Sequence, residues 1–194
     1  MPVDIAGITI SNTAAGLVCT TGQSMTIDSS GRVSRPYQTM FTCGAQGSGW
    51  VVLSGQYSWG AGFKPAGTTF VTGVNVGSCL NTSNARFTAP VSGLYYFQFC
   101  SYVYIGLASQ SDYMDAWFYV NGYVTAKQPS GSANYRRRGF GMPLGAGYYD
   151  MHINEQYYLD ANDYVDVYLF GYGYGGPGAQ WYDYYTNFNG VLIG

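Results

Sequence analysis

The sequence predicts an all-β protein, a sandwich or barrel of short strands, and three observations predict it. First, 21 Tyr, 10 Phe, 4 Trp and 28 Gly stand in a chain of 194 residues whose Asp, Glu, Lys and Arg together make up only 9%. Ordinary soluble domains carry about 25% of such charges. Helix surfaces are built largely from charged residues, whereas aromatics and small polar residues suit pleated strands and tight turns. Second, several runs alternate with the period of two that a strand imposes, and no window carries a competing helical period. Third, glycine, proline and asparagine turn signals recur between those runs. With 47% hydrophobic residues the chain can fill a core.

Residues 1–36 read differently from the rest. Two short β-like runs, 5–11 and 17–20, are followed by a hairpin over 25–33, because Ser30-Gly31 offers the positive φ that a tight turn needs. Pro36 then breaks the ladder. A segment this short cannot close a core, so 1–36 is expected to be a docking arm or stem and 37–194 the main domain.

In that domain, runs at 41–45, 49–53, 68–71, 78–80 and 84–90 precede the longest expected strand, 94–105. On it Tyr95, Phe97, Phe99 and Val103 share one face, and Tyr96, Gln98, Cys100, Tyr102 and Tyr104 the other. Residues 116–120 end at Asn121-Gly122, a strong hairpin signal. In 164–170, Val165, Val167 and Leu169 alternate with Tyr164, Asp166, Tyr168 and Phe170. Residues 191–193 close the chain as a strand, and 171–178 are a glycine-rich loop.

Tyr95, Phe97, Phe99, Val165, Val167 and Leu169 are therefore expected in the core. The opposite faces are tyrosine-rich where a sandwich should be wet and polar. Tyrosine suits a face buried against another subunit, because its ring is apolar and its hydroxyl finds a partner. Tyr96, Gln98, Tyr102, Tyr104, Tyr164, Tyr168 and Phe170 are accordingly the expected subunit interface, and symmetric self-association its simplest cause.

Several functions are excluded. A net charge of −2 gives no basic field for nucleic acid. No run approaches the roughly 20 apolar residues of a membrane helix. The first residues, Met1-Pro2-Val3-Asp4, show no secretory signal, so assembly in a cytoplasm is expected. One histidine, His152, excludes a multi-histidine zinc site and reads as structural. Cys19, Cys43, Cys79 and Cys100 form no Cys-x-x-Cys pair and are expected as free thiols.

The stretch from Thr72 through Asn75-Val76-Gly77 to Leu80, followed by Asn84-Ala85-Arg86-Phe87-Thr88-Ala89-Pro90-Val91-Ser92-Gly93-Leu94-Tyr95-Tyr96-Phe97, resembles the heart of a C1q-like domain of the C1q/TNF jelly-roll class. Leu159-Asp160-Ala161-Asn162-Asp163-Tyr164-Val165 and the closing Phe188-Asn189-Gly190-Val191-Leu192-Ile193 are similar to later family motifs, with Asn162 standing where the family has glycine. The resemblance covers 37–194. It implies a ten-stranded jelly roll assembled as a homotrimer, with Asp160 and Asp163 as turn formers. Residues 25–38 are similar to the lead-in of C1q-like virion proteins of tailed bacteriophages, cyanophages included. That likeness implies a virion-surface protein, anchored to capsid or tail proteins through 1–36 and assembled in the host cytoplasm.

No enzyme chemistry stands out, because no nucleophile–base pair or pair of catalytic carboxylates can be singled out, and no cofactor is called for. Asp112 and Asp115 could contribute to a Ca²⁺ site, although calcium needs six to eight oxygens and two carboxylates are a weak start. Arg136, Arg137 and Arg138 could grip an acidic partner or glycan. Trp181, Tyr182 and Tyr184, placed on a loop over 171–185, could stack a host sugar or a partner protein. The readings are thus a capsid-decorating or head-fibre knob, a small tail-fibre component, or a carbohydrate-binding receptor module.

Overall fold

A computed structural model describes residues 3–5, 8–10, 17–19, 26–27, 30–34, 38–47, 49–53, 55–58, 69–105, 113–121, 147–172 and 179–194. The chain divides into two compact units, Met1–Thr39 and Met40–Gly194. In the first, β1 (Val3–Ile5), β2 (Ile8–Ile10) and β3 (Leu17–Cys19) form a three-stranded antiparallel sheet. Strands β4 (Thr26–Ile27) and β5 (Val33–Ser34) pair as a hairpin, with Gly31 at a φ of 77°. Only the lack of a Cβ makes that conformation cheap.

The second unit is all-β among its described residues. Its strands are β6 (Met40–Gln46), β7 (Trp50–Leu53), β8 (Gly55–Ser58), β9 (Thr69–Val76), β10 (Leu80–Asn81), β11 (Arg86–Thr88), β12 (Gly93–Ile105), β13 (Tyr113–Val120), β14 (Gly147–Leu159), β15 (Tyr164–Tyr172) and β16 (Ala179–Leu192). They make two antiparallel sheets. The larger runs β14-β12-β16-β6-β9, with β7 also on β16; the smaller runs β10-β11-β15-β13, with β8 also on β15. The longest strand is β16, at 14 residues, rather than the one expected at 94–105. Its alternation is interrupted at 183–186, which hides it from a period-two reading.

The two sheets meet through aromatic rings. Phe41, Phe97 and Phe188 of the larger sheet pack against Phe87 and Phe118 of the smaller, with Phe41–Phe87 centroids 5.3 Å apart, Phe87–Phe97 5.0 Å and Phe118–Phe188 5.8 Å. Tyr95, Phe97, Phe99, Val165, Val167 and Leu169 all lie in this buried cluster. Tyr95 keeps its hydroxyl satisfied by donating to the Val91 carbonyl at 2.7 Å, so a polar atom enters the core without an orphaned donor. A Cβ at Gly190 would run into the Phe41 and Phe97 rings, which is why this motif position takes glycine.

The turns are held by side chains. Asn75 bridges its own turn, donating from Nδ2 to the Leu80 carbonyl and accepting from the Leu80 N–H, both at 3.0 Å. Gly77 and Ser78 between them take positive φ. Asn162, at φ 73°, adopts the left-handed conformation that glycine would otherwise supply. Asp163 accepts from the Asp160 N–H at 2.8 Å and from Asn121 Nδ2 at 2.8 Å, while Asn121 Oδ1 accepts from the Tyr164 N–H at 3.0 Å. The turn at Asn121 and the turn at 160–163 are thereby tied together.

Candidate assembly surface

Cross-strand pairing lays out the outer face of the larger sheet row by row, because residues directly opposite in a ladder point the same way. One row is Trp50–Tyr182–Tyr102–Asp150, and the next is Gln180–Tyr104–Tyr148. Towards the other end of the face come Asn187–Cys100–His152, Thr42–Asn189–Gln98–Asn154 and Met40–Val191–Tyr96–Gln156. The face is therefore zoned, with rings at one end and neutral hydrogen-bonding groups at the other. In the neutral zone Tyr96 donates its hydroxyl to Asn154 Oδ1 at 3.0 Å, and Asn189 Nδ2 donates to Asn187 Oδ1 at 3.0 Å.

The rings form one continuous cluster. Trp50 lies 4.9 Å from Tyr182, 5.6 Å from Tyr148, 6.0 Å from Tyr102 and 6.2 Å from Tyr104, centroid to centroid. Tyr104 and Tyr148 are 4.9 Å apart, and Tyr182 and Tyr185 5.2 Å. Packing on one another does not remove them from water: Trp50 is 39% exposed, Tyr184 58%, Tyr148 60% and Tyr185 66%.

Tyr184 and Tyr185 protrude for a local reason. On β12 only Ser101 separates Cys100 from Tyr102, yet their partners on β16 are Asn187 and Tyr182, so residues 183–186 bulge out of the ladder. Thr186 anchors the bulge from inside, donating to the Tyr182 carbonyl at 2.8 Å and sharing a 2.8 Å hydrogen bond with Ser101. Bulges re-aim side chains and interrupt pairing, and here the result is two tyrosines held clear of the sheet.

The outer face of the smaller sheet differs. Arg86 donates from Nε to Asp166 Oδ1 at 2.9 Å and from Nη2 to Oδ2 at 2.7 Å, and its Cζ lies 3.9 Å from the Tyr164 ring centroid. The hydrogen-bonded carboxylate raises the guanidinium pKa, partial burial opposing it. Asp166 is buried, and Tyr168 stacks on Tyr119 with centroids 3.9 Å apart.

These positions revise several expectations. Tyr96, Gln98, Tyr102 and Tyr104 lie on the larger sheet, but Tyr164 and Tyr168 lie on the smaller one, so the expected interface residues do not form a single face. Phe170 is on β15, its side chain outside the described residues. Trp181 is no loop residue: it sits fully buried on β16, in the core. Tyr182 and Tyr184 also lie on that strand rather than on a loop, at the bulge, where they join Tyr102 in one cluster. Trp50 and Tyr148 complete the cluster, and their sequence signal was only a large ring among small or apolar neighbours.

Asp112 and Arg136, Arg137 and Arg138 lie outside the described residues, and Asp115 is placed on β13 by its backbone alone. Among the described residues no group of three or more His, Cys, Asp and Glu could hold a metal ion. His152, expected as a structural histidine, is exposed on the outer face of β14. Cys43, Cys79 and Cys100 are free thiols. Burial pushes Cys43 up to about 12 and Cys79 to about 11, and raises Cys100 as well, opposed there by hydrogen bonds with Asn187.

No family model matches the chain, and no curated protein matches it. Among solved structures, the chain is similar to an Eiger TNF from S. frugiperda, at 12% identity and a TM-score of 0.46, covering 82% of this chain and 94% of that one. It is also similar to murine APRIL, at 11% identity and a TM-score of 0.42, covering 80% and 99%. Likenesses at this level say nothing about function.

Proposed function

We propose that this chain is a non-enzymatic structural protein whose 37–194 domain is a jelly-roll knob that self-associates as a homotrimer through the outer face of its larger sheet. The ring cluster around Trp50 carries the reading. Exposed rings spread over four strands exceed the scattered apolar residues normal on a monomer. Among the described residues this face holds no Lys or Arg, and its groups are mostly tyrosine hydroxyls and carboxamides, which both donate and accept. A second copy of such a face satisfies the first, whereas a strongly charged partner would find little to pair with.

Sedimentation of the full chain tests this. The native protein is expected to run as a trimer at micromolar concentration, and Tyr102→Glu, which sets a second carboxylate opposite Asp150, as a folded monomer. A native monomer with those rings wetted would end the reading.

The likeness of residues 25–38 to phage lead-in segments supports placing the knob on a virion surface, as capsid decoration, a head fibre or a small tail fibre, with residues 1–36 as the attachment arm. Deleting residues 1–30 should leave the knob assembled but release it from particles, read by probing purified particles for the protein. The exposed Tyr184–Tyr185 bulge favours a second reading, stacking of a host glycan. Selective binding on a glycan array by the assembled protein would support it.

A further inference from the structure

The outer face of the larger sheet changes chemistry twice along its strands. The ring cluster holds one end, and the rows Asn187–Cys100–His152 and Thr42–Asn189–Gln98–Asn154 follow it. The next row, Met40–Val191–Tyr96–Gln156, is mixed, and in the one after it Leu94 stands opposite Tyr158. Tyr158 is 62% exposed, and Ile193, 42% exposed, is held beside Leu94 by donating its N–H to the Leu94 carbonyl at 2.8 Å. A belt of carboxamides thus crosses the face between two apolar zones. Its hydrogen-bonding capacity is only partly used within the chain. Tyr96 donates to Asn154 Oδ1 and Asn189 Nδ2 to Asn187 Oδ1, so among the described residues the Asn154 amide donors and the Asn189 side-chain oxygen are left over. Gln98, half-buried at the centre of the belt, bonds to no side chain among the described residues.

Resting on the self-association reading, we propose that this belt fixes the register in which copies meet and so closes the assembly into a ring. The zones are stacked along the strands, so only rotation about an axis running with the strands sets each zone against its own kind in every copy. Rotation keeps each residue at one height on the axis, whereas a copy that also slides starts an open, helical stack. A slide of four residues, about 13 Å, carries Gln98 and Asn189 to the level of the rings or of Leu94 and Tyr158. A carboxamide buried there has no partner and is penalised, while in register its donors meet acceptors of the next belt. The rings tolerate such a slide, because apolar contact is non-directional. They supply the attraction and the belt supplies the choice, as one polar layer does in a coiled coil.

The test is sedimentation velocity of the full chain carrying Gln98→Leu and Asn189→Leu together. Native protein is expected as a single assembled species. The double variant should associate at least as tightly but lose that single size, spreading over several assemblies, some larger than the native one. Gln98→Asn, which keeps a carboxamide, should keep the single species. Adding Tyr102→Glu to the double variant should abolish the larger assemblies, because slipped copies still meet through the rings. A double variant of native size overturns the proposal. So does one that falls to folded monomers, since the belt would then supply attraction rather than register, and so do larger assemblies that survive Tyr102→Glu. If the double variant does not fold, Gln98→Leu alone is read in the same way. A native chain that is monomeric throughout overturns the self-association reading itself, so the two failures are distinct.

Discussion

The outer faces of the two sheets are both rich in tyrosine, yet among the described residues only the smaller sheet sets those rings beside a bonded ion pair. On the smaller sheet the Arg86 guanidinium is bound twice by Asp166 and lies over Tyr164, while Tyr168 stacks on Tyr119 at 3.9 Å. Charge, hydrogen bonds and ring faces all find partners there. Among the described residues, the rings of the larger sheet meet one another at 4.9 to 6.2 Å, and Tyr148, Tyr184 and Tyr185 are more than half exposed. A tyrosine stripe is thus compatible with two fates, and its neighbours decide which. An arginine–carboxylate pair beside it closes the face, while uncharged neighbours leave it open to a copy of itself.

The largest expected effect lies on the open face. Tyr102→Glu and Tyr148→Glu would each bury an unpaired carboxylate beside Asp150 in the proposed contact, weakening association by about a thousandfold, on the order of 4 kcal/mol. Thermal unfolding of the separated protomer should change little, since surface substitutions stay within about 0.5 kcal/mol. Sedimentation together with circular dichroism reads both. Loss of fold along with association would break the comparison, because the rings would then belong to the protomer's own stability.

On the smaller sheet the signs reverse. Arg86→Ala leaves the buried Asp166 carboxylate without its counter-charge and should cost about 3 kcal/mol of folding stability, measured by urea unfolding, with association per folded copy unchanged. Tyr168→Lys removes the ring stack on Tyr119 and should cost about 1 kcal/mol, again without dissociating the assembly. If Tyr168→Lys weakens the proposed assembly as Tyr102→Glu is expected to, both faces are interfaces and the distinction fails.

How far the sequence alone reaches follows from the range of each interaction. Alternation in 94–105 and 164–170 separates inward Phe97 and Val167 from outward Tyr102 and Tyr168, because the pleat is a local property. Turn chemistry is local too: Asn75, Asn162 and Asp163 act within a few residues of themselves, and each sits at a turn the sequence signals. Alternation does not say which sheet a strand joins, and so Tyr168 and Tyr102 read alike until long-range pairing puts them on different sheets. The bulge at 183–186 was equally hidden. It depends on Thr186 bonding to Tyr182 and on Ser101, 85 positions earlier, accepting or donating to the same hydroxyl. Without that anchor Trp181 and Tyr182 read as part of an aromatic loop, when one is core and the other surface.

The smallest effect sharpens the same contrast through the thiols. Cys43 and Cys79 are buried on the inner side, whereas Cys100 lies on the open face in the row with His152. A thiol reacts as its thiolate, and burial pushes Cys43 to about 12 and Cys79 to about 11, well above the ordinary thiol range. At about pH 8 the inner pair should resist alkylation in the folded chain while Cys100 reacts. Assembly should then slow Cys100 alone, as mass spectrometry of labelled protein would read. The same shifts fix a sign for stability. A folded pKa above the unfolded one gives a contribution fully present below pH 9 and lost as pH rises through 11 and 12, because the unfolded chain releases protons that the folded one retains. Urea unfolding at rising pH should therefore weaken above about pH 9, and Cys43→Ala should lessen that slope. An unchanged slope would place the alkaline loss elsewhere, with half-buried Tyr157, also raised by burial, the next group to substitute.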